Sequence, residues 1–342
     1  MAHPHPTPSH LTPPHPTPQE KHFFNGGDYV HKYAAQVQMY MDEFKGCKKN
    51  QLTLDSTPGY SAEPNVNDRM KETYLPEVLN KKYFIYLVRE PVARHYSEYQ
   101  MEVRLCLDVD GDLKLKNNVA WRMWRHERAC DTVCHNYSNK KNDPAEFSVG
   151  YNKNARVLTF HEWCLSHRGK QELRRGHYKA VILRYLDMIR REMLLLVNFD
   201  NLIYKTGQVM VGMNEFLHLP PEMHWKNSTA LPVPKKSAAN VETVMDCVTT
   251  EMLIHYFEHA NGGPIDGWIR NMTAERGRPK GEIDFGSFSD PRKKCKKLAT
   301  NETQYAPGTW TFTEDAVKFH EEFKSITNPP SSVPPSPPKM FI

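Results

Sequence analysis

The stretch Tyr83–Tyr99, YFIYLVREPVARHYSEY, holds the residues of this chain best suited to chemistry. An apolar run from Tyr83 to Val88 stops at Arg89-Glu90-Pro91, and amphipathic periodicity follows at Val92, Tyr96, Tyr99 and Val103. That pattern predicts a buried strand feeding a helix, with proline tolerated in the helix's first turn. An arginine at such a strand end sits at the crevice where open parallel sheets bind ligands. Its guanidinium can fork onto a phosphate, and Ser97 can add a hydroxyl from the helix that follows. The plain alternative is a strand-turn-helix whose arginine reaches out to solvent.

Other constellations are weaker. His126, Cys130 and Cys134, with His135 adjacent, recur at helical spacing. Ligands on one straight helix diverge from a tetrahedral point, so no metal is expected there. A disulfide from one of these cysteines to another part of the chain is the favoured reading. Two basic runs, RGRPKGE from Arg276 and RKKCKK from Arg292, read as solvated surface, with contact to a sulfated or carboxylated glycan as the functional alternative.

The elements that must position Arg89 and Ser97 can be read from the same periodicities. A helix is expected from Asp28 to Phe44, then a short strand from Gln51 to Leu54 that ends at Asp55-Ser56-Thr57-Pro58-Gly59-Tyr60. Helices follow at Asn117–Cys134, Thr159–Leu165 and Tyr178–Arg190, the last running into an apolar strand, Met193–Phe199. Two more, Gln208–Leu217 and Thr250–Ala260, complete the regular part, and Asn261-Gly262-Gly263 caps the second. This alternation predicts an α/β fold with a central parallel sheet flanked by helices. Residues 1–18 repeat His-Pro and Thr-Pro steps and are expected to be a disordered leader, as is the proline-rich tail 328–342. The main domain is expected over 19–272. Residues 273–327, less regular and rich in charge, are expected to form an appendage or to wrap the core.

Composition sets outer limits. The chain has 342 residues, 39% hydrophobic and 25% charged, enough for one large α/β domain with tails. A net charge of +5 suits a polyanionic glycan or a nucleotide but is not a nucleic-acid signature. No run reaches the roughly 18 apolar residues of a membrane span, and no signal-peptide core is visible. Sequons at Asn136, Asn227, Asn271 and Asn301 lean weakly toward a secretory lumen.

The pattern R-x-P-x-x-R-x-x-S-x-Y, from Arg89 to Tyr99, resembles the 3′-phosphate-binding motif of sulfotransferases that use 3′-phosphoadenosine 5′-phosphosulfate (PAPS). Three further segments resemble the Golgi carbohydrate sulfotransferases, especially the branch acting on heparan sulfate. These are Glu20-Lys21-His22-Phe23-Phe24, Asp55-Ser56-Thr57-Pro58-Gly59-Tyr60, and the strand-turn-helix Met193–Leu219. The helix ending at Asn261 is similar to the family's closing segment. The likeness covers roughly Glu20 to Met272, and it rests on the order and spacing of short motifs.

The resemblance implies a P-loop-like three-layer fold and transfer of a sulfuryl group from PAPS to a hydroxyl or amine of a glycan, with no metal. It implies Glu20 as catalytic base, Arg89 and Ser97 as holders of the 3′-phosphate, and weaker acceptor contacts at His22, Lys235 and Lys236. A Golgi lumen location and a glycan partner, possibly heparan-type, follow from it as expectations. The family's K-x-G-T-x-x-L loop for the 5′-phosphosulfate is not found, so the first strand is expected to be missing from this chain. Ser56 stands where the branch often carries a lysine. Two readings therefore stay open: an enzyme whose sequence here is truncated, or a catalytically inactive glycan- or nucleotide-binding relative. An unrelated P-loop kinase is disfavoured because no G-x-x-x-x-G-K-(S/T) occurs.

Overall fold

The computed structural model describes residues 23–24, 38, 40–42, 54–55, 57–61, 63, 65–106, 133–135, 156–220 and 244–296. Two compact units divide the chain between Thr73 and Tyr74. The first includes helical residues 40–42, a 3₁₀ turn at Pro58–Ser61 and helix α1 (Val66–Thr73). Its buried hydrophobic residues include Phe23, Phe24, Tyr40, Tyr60, Val66 and Met70, with Thr57 and Asn67 buried among the polar ones.

The second unit begins with α2 (Pro76–Leu79), strand β1 (Phe84–Val88) and α3 (Pro91–Cys106). Two-residue strands β2 (Cys134–His135) and β3 (Arg156–Val157) pair antiparallel. Helices α4 (Phe160–Leu165), α5 (His167–Leu173) and α6 (Tyr178–Leu186) lead to β4 (Leu194–Asn198). After it come α7 (Phe199–Tyr204), α8 (Thr206–Phe216), α9 (Cys247–Asn261) and α10 (Ile265–Arg276).

β1 and β4 lie parallel, with Phe84 opposite Leu194 and Val88 opposite Asn198. A parallel pair needs a long crossover, and the helices between the two strands supply it. Every residue of β4 is buried, as expected of a strand covered on both faces. Side chains alternate across it. Leu194 and Leu196 join α6, α10 and Phe285 in one cluster, while Leu195 and Val197 meet Val209 and Phe216 of α8 in another. A third cluster packs α3 against α4, α5 and α9 through Val92, Tyr99, Phe160, Trp163 and Phe257. The described part is thus a mixed helix–strand, α/β arrangement around a two-stranded parallel sheet.

Local chemistry explains several boundaries. Thr159 and Glu162 form a reciprocal capping box that starts α4. Asp246 caps α9 by accepting from Thr249 N at 2.7 Å, and Gly262 closes that helix at φ 67°, a left-handed conformation that glycine adopts without a Cβ penalty.

Cys134 stands in strand β2 directly after the helical Val133, while His126 and Cys130 lie outside the described residues. The helix from Tyr178 ends at Leu186 rather than Arg190, because a 3₁₀ turn at Arg191–Met193 delivers the chain to β4. Residues 277–296 wrap the core: α10 crosses position 273, Phe285 is buried beside Ile269, and a disulfide ties Cys295 to Cys247.

Candidate functional site

The register of the sheet builds the site. With Val88 opposite Asn198, the next residues of each strand, Arg89 and Phe199, emerge side by side at the carboxyl ends. The Arg89 guanidinium lies over the Phe199 ring, 5.1 Å from its centroid. Among the described residues no carboxylate comes within ion-pair distance of it. Burial lowers its pKa, opposed by Tyr178, Asp200 and Glu90 at longer range. A half-buried cation without a direct counter-ion is costly, and an incoming oxyanion relieves that cost.

The neighbours of Arg89 are already committed. Glu90, 8% exposed, turns its carboxylate onto the first turn of α3, accepting from Val92 N at 3.0 Å and from Ala93 N. Burial pushes its carboxyl up to about 7, against those two backbone donors and Arg89. The helix N-terminus, an ordinary anion site, is therefore filled by the chain's own carboxylate. Burial pushes the Tyr178 hydroxyl up to about 12, opposed by Arg94 and by the Arg89 backbone and guanidinium. Asp200 accepts from Ser289 Oγ at 3.0 Å, and Asn198 donates to the Phe285 carbonyl at 2.9 Å. Those two bonds bring the 285–289 segment to the rim of the same strand end.

Ser97 lies on the half-exposed stripe of α3 with Ala93 and Arg94, about 9 Å along the axis from Pro91. Its hydroxyl is not committed to a hydrogen bond among the described residues. Arg94, the second arginine of the motif, is occupied elsewhere: its Nη2 donates to the Glu172 carbonyl at 2.6 Å. It belongs to an ionic cluster in which Arg168 holds Glu102 at 2.7 Å and pairs with Glu172, while Trp163 Nε1 donates to Glu102 at 2.9 Å. That leaves Arg89 and Ser97, of the motif's polar side chains, open to a ligand.

The first unit joins three of the segments singled out in sequence. Phe23 stacks on Tyr40 with centroids 4.5 Å apart, and Phe24 meets Tyr60 edge-on at 5.5 Å. The Asp55 carboxylate accepts from Tyr60 at 2.7 Å, Tyr40 at 3.1 Å and Thr57 at 2.7 Å. The Tyr60 oxygen in turn accepts from Phe23 N at 3.1 Å, and Arg69 donates to the Phe24 carbonyl at 2.8 Å. Burial and the Asp55 bond raise the Tyr60 pKa. The Phe23-Phe24 pair is therefore anchored to the Asp55–Tyr60 turn, three residues downstream of Glu20.

Glu20, His22, Ser56, Lys235, Lys236, Asn136, Asn227 and Asn301 lie outside the described residues. Asn271 is exposed on α10, while Thr273 of the same sequon is buried and donates to the Ile269 carbonyl at 2.8 Å. Among the described residues no group of His, Cys, Asp and Glu is placed to hold a metal, and no helix is long and apolar enough to cross a membrane. Sequence reasoning missed Phe199, Asp200 and Tyr178, which reach Arg89 only through strand pairing and the packing of α6. Glu90 carried a readable signal: an acidic residue just before a proline at a helix start.

No protein-family model, curated protein or solved structure matches this chain.

Proposed function

We propose that this chain binds PAPS, with Arg89 and Ser97 on the 3′-phosphate, and transfers its sulfuryl group to a hydroxyl or amine of a glycan. The observation that carries the proposal is Arg89, a half-buried guanidinium with no carboxylate within ion-pair distance among the described residues, at the carboxyl end of a parallel strand. On this reading β1 and β4 are the centre of a P-loop-like three-layer fold.

Sulfuryl transfer is an in-line displacement much like phosphoryl transfer, so positioning and charge neutralisation do most of the work. The acceptor oxygen or nitrogen forms a bond to sulfur while the bond from sulfur to the bridging phosphate oxygen breaks. Adenosine 3′,5′-bisphosphate leaves with that electron pair. Glu20 takes the acceptor's proton, a general-base role worth roughly 10²–10⁴-fold. His22, Lys235 and Lys236 are the proposed acceptor contacts. The Cys247–Cys295 disulfide and the disulfide-bonded Cys106 suit an oxidising lumen such as the Golgi.

Ligand-dependent melting tests this. At about one hundred times its dissociation constant, adenosine 3′,5′-bisphosphate should add about 2.7 kcal/mol of stability, a melting shift of about 5 °C. ATP should add less, and Arg89→Ala should lose most of the gain. Equal shifts with both nucleotides, or no shift, refute the proposal. Sulfate transfer that is abolished in Glu20→Gln supports the enzyme. Nucleotide binding without transfer selects the inactive, binding-protein reading instead.

A further inference from the structure

A cleft of about 340 Å³ opens at the other end of the sheet, where Tyr83 enters β1 and Met193 enters β4. That volume lies in the lower part of the range of small-molecule sites, about 300–1,000 Å³. Its rim carries Lys81, Arg190, His218 and Lys280, facing one carboxylate, Glu192. Glu192 pairs with Arg190 at 3.2 Å, which leaves two lysines in permanent excess. The wall is aromatic: Tyr83 meets Phe216 edge-on at 5.2 Å and His218 at 5.9 Å.

The cations come from separate segments, and their backbones are held. Lys280 belongs to the RGRPKGE run. There Gly281, at φ 82°, crosses Gly212 of α8 so closely that a Cβ on either would strike the other's carbonyl oxygen. The next residue, Glu282, is clamped by Arg191 Nη2 at 2.9 and 3.0 Å. The Arg191 clamp also fixes the position of neighbouring Arg190. Lys81 N donates to the Val78 carbonyl at 3.1 Å, and His218, at φ 51°, donates its backbone N–H to Glu215 at 3.2 Å. Bulk solvated surface has no need of this anchoring.

The ligand chemistry follows from what faces the cleft. The helix ends nearest it are the carboxyl ends of α2 and α8, at Asn80 and Phe216. Their partial negative charge does not favour one compact phosphate, and among the described lining residues no α-helix amino terminus offers amides to cradle it. Long side chains around a rim suit several separated charges instead. An aromatic wall suits the apolar face of a ring. We infer that this cleft binds an anionic saccharide of one or two sugar rings bearing sulfate or carboxylate groups. The inference rests on the cleft's own residues and does not require Arg89.

Calorimetric titration of the full chain with a sulfated tetrasaccharide tests it, alongside the unsulfated tetrasaccharide, inorganic sulfate and ATP. The sulfated sugar should bind one to one, and Lys81→Ala with Lys280→Ala should weaken it about tenfold, or about 1.4 kcal/mol. Both lysines are exposed, so folding is not at risk. Lys170→Ala with Lys293→Ala removes the same two charges from exposed sites off the cleft and should change affinity less than about twofold. Equal weakening by both pairs reduces the effect to diffuse charge and overturns the inference. So does no binding, or binding of inorganic sulfate, of the unsulfated tetrasaccharide or, in Arg89→Ala, of ATP as tight as that of the sugar. Arg89→Ala should leave this titration unchanged while removing stabilisation by adenosine 3′,5′-bisphosphate, so failure of one reading is distinguishable from failure of the other.

Discussion

His95 should make the fold measurably weaker in mild acid. It sits on the buried face of α3 with no exposed surface, and neither ring nitrogen has a hydrogen-bond partner among the described residues. Trp163 lies 4.7 Å away centroid to centroid, Phe160 6.0 Å and Phe257 6.4 Å. Burial, and secondarily Arg94, hold its pKa well below the ordinary 6.5, so the folded protein keeps it neutral. The unfolded chain titrates it at the ordinary value. Below that pH the unfolded state binds more protons, and stability falls as pH falls until the depressed folded value is reached. From about pH 7.5 to about pH 5.5 the loss from this one group is about 1.4 kcal/mol. Replacing it by phenylalanine keeps the ring in its aromatic cage and removes two unmet polar atoms, worth about 1–3 kcal/mol. Urea denaturation of the wild type and His95→Phe across this pH range gives the difference directly. The variant's advantage should grow by about 1.4 kcal/mol toward the acid end. A difference flat with pH, or a variant less stable than wild type at neutral pH, would refute the reasoning.

Glu90 should act in the opposite sense. Its carboxyl, raised from 4.5 to about 7 chiefly by burial, is held protonated more tightly in the fold than in the unfolded chain. The stability this confers is fully present below pH 4.5 and lost as pH rises through about 7. Glu90→Gln should therefore show its largest gain over wild type above pH 7, read by the same denaturation series. Arg168→Ala should cost about 3 kcal/mol or more, because it strands the buried Glu102 and Glu172 carboxylates. Cys295→Ser opens a disulfide spanning 48 residues and should cost about 4 kcal/mol, and reductant should lower wild type by at least as much, since it also opens the Cys106 bridge.

Arg89 shows how far the sequence carries. An apolar run broken by Arg-Glu-Pro predicts strand, turn and helix, and β1 and α3 stand where that pattern puts them. The capping signals around Thr159 and Gly262 were equally legible, since a cap depends on residues three or four apart. Pairing was not legible. Nothing local to Arg89 announces Phe199, 110 positions away, as its neighbour. The stripe on α3 was legible, with Val92, Tyr99 and Val103 buried and Tyr96 packed against their cluster, but it gave no sign that His95 and Glu102 are buried as well. Both are polar residues that only a particular set of partners makes tolerable.

Chain-local chemistry thus determined most of the elements, several of their ends, and the presence of an arginine at a strand end with a serine on the helix that follows. Tertiary structure alone decided that Arg89 has no direct counter-ion among the described residues, that Glu90 turns inward to close the helix start, and that Lys280 crosses to the far end of the sheet. The physical reason is range. Periodicity and capping act over one or two turns of backbone, whereas an ion pair, a desolvated charge or a cleft depends on which distant segments pack together.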